Sequence, residues 1–171
     1  MYKRQVLLFG EITSELAHAV TAQLLALAAR SSDPIRMLVH SPGGHVESGD
    51  TIHDVLRFIE APVRMIGTGW VASAAALLFV AAPRESRFAL PHTRFLLHQP
   101  LGGVRGPASD IEIEAAQIAA IRARLNRTFA EATGHDADKI ARETERNLWM
   151  TADEEVKYGL VHRVIRRASE A

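Results

Sequence analysis

The chain has 171 residues, 47% of them hydrophobic and 23% charged, the balance of an ordinary globular protein long enough for one domain with its own core. Lys plus Arg number 20 and Asp plus Glu 20, a formal net charge of zero, so electrostatics gives no argument for nucleic acid or an anionic membrane as partner. The absence of cysteine excludes disulfides, thiolate metal sites and a Cys nucleophile, and fits a reducing compartment.

The elements follow in chain order. Met1 to Gly10 carries Lys3 and Arg4 before an apolar run too short for a signal-peptide core. Gln5 to Phe9 reads as a strand. Ser14 to Ala29 reads as a helix, with Leu16, Val20, Leu24 and Leu27 at helical spacing. Arg36 to His40 is a buried-strand pattern followed by Ser41-Pro42-Gly43-Gly44. Ile52, Val55, Leu56 and Ile59 give the next helix its apolar face. Val63 to Ile66 predicts a strand ended by Gly67 and Gly69, then an Ala-rich helix from about Ser73 to Ala82. The apolar stretch Trp70 to Ala82 is shorter than the roughly 20 residues a bilayer span needs, and the chain reads as cytoplasmic.

Arg94 to Leu97 predicts a strand leading to His98-Gln99-Pro100 and a Gly-rich segment. Ser109-x-x-Glu112 reads as a capping box opening a long helix over about 109–133, with Gly134 ending it. Asp136 to Arg146 predicts a shorter helix. Thr151-x-x-Glu154 is a second capping box, opening a helix that ends at Gly159. Leu160 to Ile165 reads as the last strand. Strands alternating with helices imply parallel crossovers and an α/β fold, and without repeat or linker the whole of 1–171 reads as one domain.

Three segments carry the chemistry. Ser73 stands at a strand-to-helix junction, where free backbone amides are the raw material of an oxyanion hole; alone, it reads rather as a helix cap followed by a close-packed Ala run. Ser41-Pro42-Gly43-Gly44 lets backbone amides approach a ligand; alone, it is a plain turn. His98 at a strand end can swing its ring into a site; alone, it simply closes the strand. Together the three lie at the ends of α/β strands, where sites of such folds collect. The order Ser then His, with no Gly-x-Ser-x-Gly elbow, sets the chain apart from the trypsin and α/β-hydrolase arrangements.

At this point the chain resembles the proteolytic subunit of Clp protease, the ClpP family. The likeness runs from about Gln5 to Ile165. It rests on Ser-Pro-Gly-Gly (41–44), the Ala-Ser-Ala segment around Ser73, Arg-Phe-Ala-Leu-Pro (87–91) and Leu-His-Gln-Pro-Leu-Gly-Gly (97–103). Ser-Asp-Ile-Glu-Ile (109–113), Arg-Leu-Asn (124–126) and Glu-Glu-Val-Lys-Tyr-Gly-Leu (154–160) complete it. The resemblance implies a ClpP/crotonase-like fold of repeated ββα-type units with a protruding long handle helix. It implies Ser73 as nucleophile and His98 as general base, with Asn147 at the third triad position, usually Asp in the family. It implies the Gly44 and Ala74 amides as oxyanion hole, although Ala74-Ala75 stand where the family usually has Met-Gly. Gly43, Gly44, Pro100, Leu101 and Gly102 match segments that hold an extended peptide, and Glu145 and Arg146 match charges that pair across the contact between rings.

The function so implied is a serine-type endopeptidase, with no cofactor and no metal, hydrolysing unfolded peptides inside two stacked heptamers. The rings are homomeric or mixed with a paralogue. An AAA+ unfoldase is the family's partner, but a chain beginning so close to its first strand is expected to lack the axial loops that face it. The alternative is a weakly active or non-catalytic structural subunit of a mixed ring, favoured by Asn147. An acyl-CoA enzyme of the crotonase type should be longer and has no need of this Ser and His. A Ser–Lys peptidase needs a buried Lys, and Lys3, Lys139 and Lys157 are poorly placed for that role.

Overall fold

A computed structural model describes residues 4–100 and 103–171. Among the described residues seven strands and six α-helices follow in chain order: β1 (Gln5–Phe9), α1 (Ser14–Arg30), β2 (Ile35–Ser41), α2 (Val46–Phe58), β3 (Val63–Ala72), α3 (Ala74–Phe79), β4 (Arg87–Ala89), β5 (Arg94–Leu97), α4 (Ala108–Thr133), α5 (Ala137–Glu143), β6 (Leu148–Thr151), α6 (Ala152–Tyr158) and β7 (Arg163–Val164). The main sheet runs β1-β2-β3-β4-β7, all parallel, and β5 and β6 form an antiparallel pair hung from β3. The expected α/β class with its long helix is what the fold shows.

The sheet has one inner face. Along β2, Ile35, Met37, Val39 and Ser41 are buried while Arg36, Leu38 and His40 are partly exposed, the period of two that puts alternate side chains on opposite faces. Val6 and Leu8 of β1 and Val20 and Leu24 of α1 join the same core. The outer face stays open at β1, where Leu7 is 55% and Phe9 48% exposed.

One buried arginine ties three helix ends together. Arg87, 4% exposed, donates from Nε to the Ala82 carbonyl at 2.7 Å and from Nη1 to those of Ala132 and Leu160 at 3.0 and 3.4 Å. Each carbonyl lies just past a helix or in its last turn, so the guanidinium supplies donors those ends lack. Burial pushes its pKa down to about 10.

Several expectations are corrected. β3 does not stop at Ile66. It continues to Ala72 through a register shift against β2 between Val39 and Ser41, so its first half pairs with β4 and its second with β5. α3 ends at Phe79, because Val80 to Pro83 turn away before the next strand. The Ser109 box does not form. α4 starts at Ala108 after Pro107, which places Ser109 inside the first turn, and its hydroxyl lies 3.5 Å from Asp110 Oδ1 instead. The Thr151–Glu154 box is formed in both directions. α5 ends at Glu143, and the last strand shortens to Arg163–Val164. The strands β4 and β6 were not expected from the sequence.

In α4 only Phe129 and Thr133 are buried. Towards its start Ile111 and Ile113 are 40% and 59% exposed. No helix among the described residues is long and apolar enough to cross a membrane.

Candidate active site

The bend in β3 creates the site. Its second half runs parallel to β5, with Trp70, Val71 and Ala72 opposite Arg94, Phe95 and Leu96. Ser73 and His98 therefore emerge at the carboxyl ends of two adjacent parallel strands, the edge where α/β folds gather their sites. The Ser73 N–H donates to the Leu96 carbonyl at 2.9 Å, fixing one strand end against the other.

Ser73 has φ 57° and ψ −124°, and it is the only non-glycine residue with positive φ among those described. Backbone of this kind costs on the order of 1–3 kcal/mol and persists only where the surroundings impose it. Gly43 is the imposing neighbour. A β-carbon there would lie 2.6 Å from Ser73 Cβ, 2.8 Å from the Ala72 carbonyl oxygen and 3.1 Å from the Ala74 nitrogen. Only glycine lets the two backbones meet so closely. Ser41 holds the turn, its buried hydroxyl accepting the Gly43 N–H at 3.0 Å. Ser73 stands at the N-cap position of α3, as expected, but its side chain makes no capping bond there.

Two amides are left without acceptors here. Ile12 bonds the carbonyl of Gly43 and the N–H of His45, bracketing Gly44, whose own N–H has no acceptor among the described residues. Ala74 is the first residue of α3, so its N–H has no partner within the helix. Gly44 follows Gly43, which packs on Ser73, and Ala74 follows Ser73 itself; free amides are what an oxyanion hole is made of.

His98 is half-buried between two clefts. On one side it shares with Ser73, Ala74, Val46, Leu77, Leu97, Pro100, Leu125 and Phe129 an apolar cavity of about 30 Å³. On the other it meets Gln99, Glu145, Arg146 and Asn147 around an open cleft of about 400 Å³. The linear order is thus serine, histidine, asparagine. Burial holds the imidazole pKa below its ordinary value, which favours the neutral ring a base needs. No hydrogen bond joins His98 to Ser73 or to Asn147 among the described residues.

The other expected residues fall around this core. Gly44 and Pro100 also line a groove of about 620 Å³ with His45, Glu47, Gly103 and Glu114, and this groove shares Val46 and Pro100 with the wall of the apolar cavity. Leu101 and Gly102 lie outside the described residues. Glu145, Arg146 and Asn147 are exposed on the segment between α5 and β6. No three His, Cys, Asp or Glu side chains gather as a metal group would among the described residues. Sequence reasoning missed Gln99 and the Asp50–Arg124 pair. Gln99 donates from its side-chain amide to Asn126 Oδ1 at 3.3 Å and to the Thr144 hydroxyl. Arg124 makes a two-pronged bond to Asp50 at 2.8 and 2.6 Å, joining α4 to α2. Gln99 adjoins His98 in sequence, a signal that was present; no local pattern pairs Asp50 with Arg124.

The family model described as Clp protease matches residues 1–168. This chain belongs to the Clp protease family. An ATP-dependent Clp protease proteolytic subunit 2 of Gluconobacter oxydans is 59% identical over 98% of this chain and 76% of its own length. The subunit 3 of Rhizobium meliloti is 58% identical over 98% and 86%. Among solved structures, an Asn-to-Asp mutant of ClpP1 from Listeria monocytogenes superposes with a TM-score of 0.92 at 47% identity, covering 98% of this chain and 94% of that one. The Clp protease family is one of serine peptidases, so the strained serine, the neutral histidine and the unbonded amides stand in a chain whose relatives are proteases.

Proposed function

We propose that this Clp protease family chain is a serine endopeptidase subunit that cleaves extended, unfolded peptides inside a chamber of stacked rings. The observation that carries the reading is Ser73. Its strained backbone is packed on Gly43, the Gly44 and Ala74 amides adjoin that contact in sequence, and His98, whose pKa burial lowers, lines the same cavity. In the reaction the Ser73 oxygen attacks the peptide carbonyl carbon while His98 Nε2 takes the hydroxyl proton. The Gly44 and Ala74 N–H groups receive the oxyanion, and the imidazolium returns the proton to the leaving amine. Water, deprotonated by the same ring, then releases the acyl group. The groove over Gly44 and Pro100 supports binding of an extended chain on either side of the scissile bond.

Assembly is part of the proposal. The exposed isoleucines of α4 and the open face of β1 are apolar surface that a free subunit would leave in water, and burial against further copies, in two stacked heptamers, removes it. Glu145 and Arg146, beside Asn147, are the charges we assign to the contact between rings. The rings are homomeric or mixed with a paralogue, and the cysteine-free composition supports a cytoplasmic setting. A fluorophosphonate should label the assembled protein at Ser73, and Ser73→Ala should abolish the label. Native mass spectrometry should show a large oligomer; a monomer at micromolar concentration would contradict the assembly.

One observation favours a second reading, a weakly active or structural subunit. His98 is bonded to neither Ser73 nor Asn147, and Asn147 is neutral. Label at Ser73 without turnover of any peptide by the intact oligomer would favour this second reading.

A further inference from the structure

A second cavity lies away from Ser73. α2 and α3 begin at the active site, where Val46 and Ala74 form part of its wall. Their far ends, together with the last turns of α4, enclose a cavity of about 640 Å³, inside the range of about 300–1,000 Å³ usual for small-molecule sites. Much of its wall is apolar, with Leu56, Ile59, Val63, Val80, Ala81 and Pro83 among its residues.

One charged side chain is buried in this wall. Arg87, 4% exposed, lines the cavity. Its Nε and Nη1 donate to three carbonyls. Its Nη2 has no acceptor among the described residues, and it is not sealed from solvent. No carboxylate stands within ion-pair distance of the guanidinium among the described residues. Glu60 and Glu131 also line the cavity, but they are exposed, as is Arg57 beside them, and exposed charges are screened by water. The carbonyl dipoles hold the guanidinium in place without cancelling its charge. A buried cation is ordinarily paired. Here burial, and then the like charge of Arg84, lower the Arg87 pKa to about 10, as befits a charge short of a counterion.

We propose that this cavity binds a small apolar carboxylate, whose anion accepts from Arg87 Nη2 while its hydrocarbon part lies on the apolar wall. With Nε and Nη1 held, the planar guanidinium presents Nη2 in one fixed direction, and a carboxylate is the acceptor that suits it best. The inference does not depend on the catalytic reading, because no residue that lines the Ser73 cavity also lines this one. A free aliphatic acid and the C-terminus of an apolar peptide offer the same chemistry.

The test is photolabelling of the intact oligomer. A hexanoic acid carrying a diazirine should label the tryptic peptide 58–64, which contains Ile59, Glu60 and Val63 of the cavity wall. Its primary amide should label that peptide at least about tenfold less, the lower end of what a hydrogen bond to a charged group contributes. Arg87→Gln should bring labelling by the acid down to the level of the amide. Arg87 also ties helix ends, so if that variant does not assemble, the acid–amide comparison on the unaltered protein decides alone. Competition for peptide 58–64 separates the two sources: unlabelled hexanoate displacing the probe at the lower concentration assigns a free acid, and N-acetyl-Leu-Leu acid doing so assigns a peptide C-terminus. Equal labelling by acid and amide overturns the proposal. So does label confined to the peptides that carry Ser73 and His98, or acid labelling that an assembled Arg87→Gln variant retains in full.

Discussion

Gln99 clasps Thr144 twice: its backbone N–H donates to the Thr144 carbonyl at 3.1 Å and its side-chain amide to the Thr144 hydroxyl. Gln99 follows His98, and Thr144 stands three residues before Asn147. The clasp therefore ties together the two sides of the cleft between His98 and Asn147. Asn126, which also accepts from the Gln99 amide, ties the same unit to α4.

Gln99→Ala removes the side-chain half of this clasp and leaves the Thr144 hydroxyl and the Asn126 carbonyl oxygen without their donor. Stability should fall by about 1–3 kcal/mol, the scale of buried polar groups losing a partner. Peptidase kcat should drop by about 10- to 100-fold with little change in KM, because the misplaced group is the base and not the peptide groove. Stopped-flow cleavage of a fluorogenic peptide by intact rings checks it. A rise in KM alone would move Gln99 out of the positioning role.

Ser73→Gly separates strain from chemistry. Glycine adopts φ 57° without the β-carbon penalty. The glycine variant should therefore melt higher than Ser73→Ala, by the equivalent of about 1 kcal/mol or more, while both lose fluorophosphonate labelling. Differential scanning fluorimetry on matched oligomers decides it, and equal melting temperatures would mean that the turn is unstrained.

Glu155 gives the stability a pH dependence. Its carboxyl is fully buried on α6, neither oxygen has a partner among the described residues, and burial, with the nearby Glu154 charge, pushes its pKa up to about 8. In the unfolded chain the group ionises near pH 4.5. The unfolded state therefore releases this proton first, and the stabilising contribution present below that pH is lost as pH rises to about 8. Between pH 5 and pH 8.5 the melting temperature of the wild type should decline by several degrees relative to Glu155→Gln, whose amide does not titrate. Parallel profiles for the two proteins would show that Glu155 is ionised or solvated in the fold.

How much of this could be read from sequence depends on how local its cause is. The alternation of β2, the Thr151–Glu154 box and the stop at Gly134 are fixed by neighbours within a few residues, and the sequence already shows them. Ser73 and His98 were visible as residues at strand ends. The positive φ of Ser73 was not, because nothing in Ala-Ser-Ala calls for it; it follows from Gly43, thirty positions earlier, which packs against it. Gly67 and Gly69 read as the end of β3, yet the strand runs through them because β5 waits to pair with its second half. The strand β6 was hidden behind the charged run at Thr144 to Arg146, and its partner β5 lies some fifty residues away.

Asn147→Asp should raise kcat and move its pH profile, in a direction the present site fixes. A carboxylate at this position can accept the Nδ1–H of His98, hold the tautomer that leaves Nε2 free, and stabilise the imidazolium formed as Ser73 attacks. A neutral amide does the first two only when its carbonyl faces the ring, and the third weakly. The gain appears in the transition state and not in peptide binding, so kcat should rise, by up to the roughly 10⁴-fold that the trypsin-type triad loses on the reverse change, while KM stays nearly constant. The pH profile distinguishes this from better folding. In the wild type, burial alone holds the His98 pKa down, so activity should persist on acidification to below the ordinary histidine range. A carboxylate partner raises that pKa, and since the base must be neutral, the acid limb of kcat/KM should move to higher pH in the variant. A faster enzyme with an unmoved acid limb would place the new carboxylate away from His98. An unchanged rate in intact rings would show that the defect lies elsewhere, and the structural-subunit reading would gain.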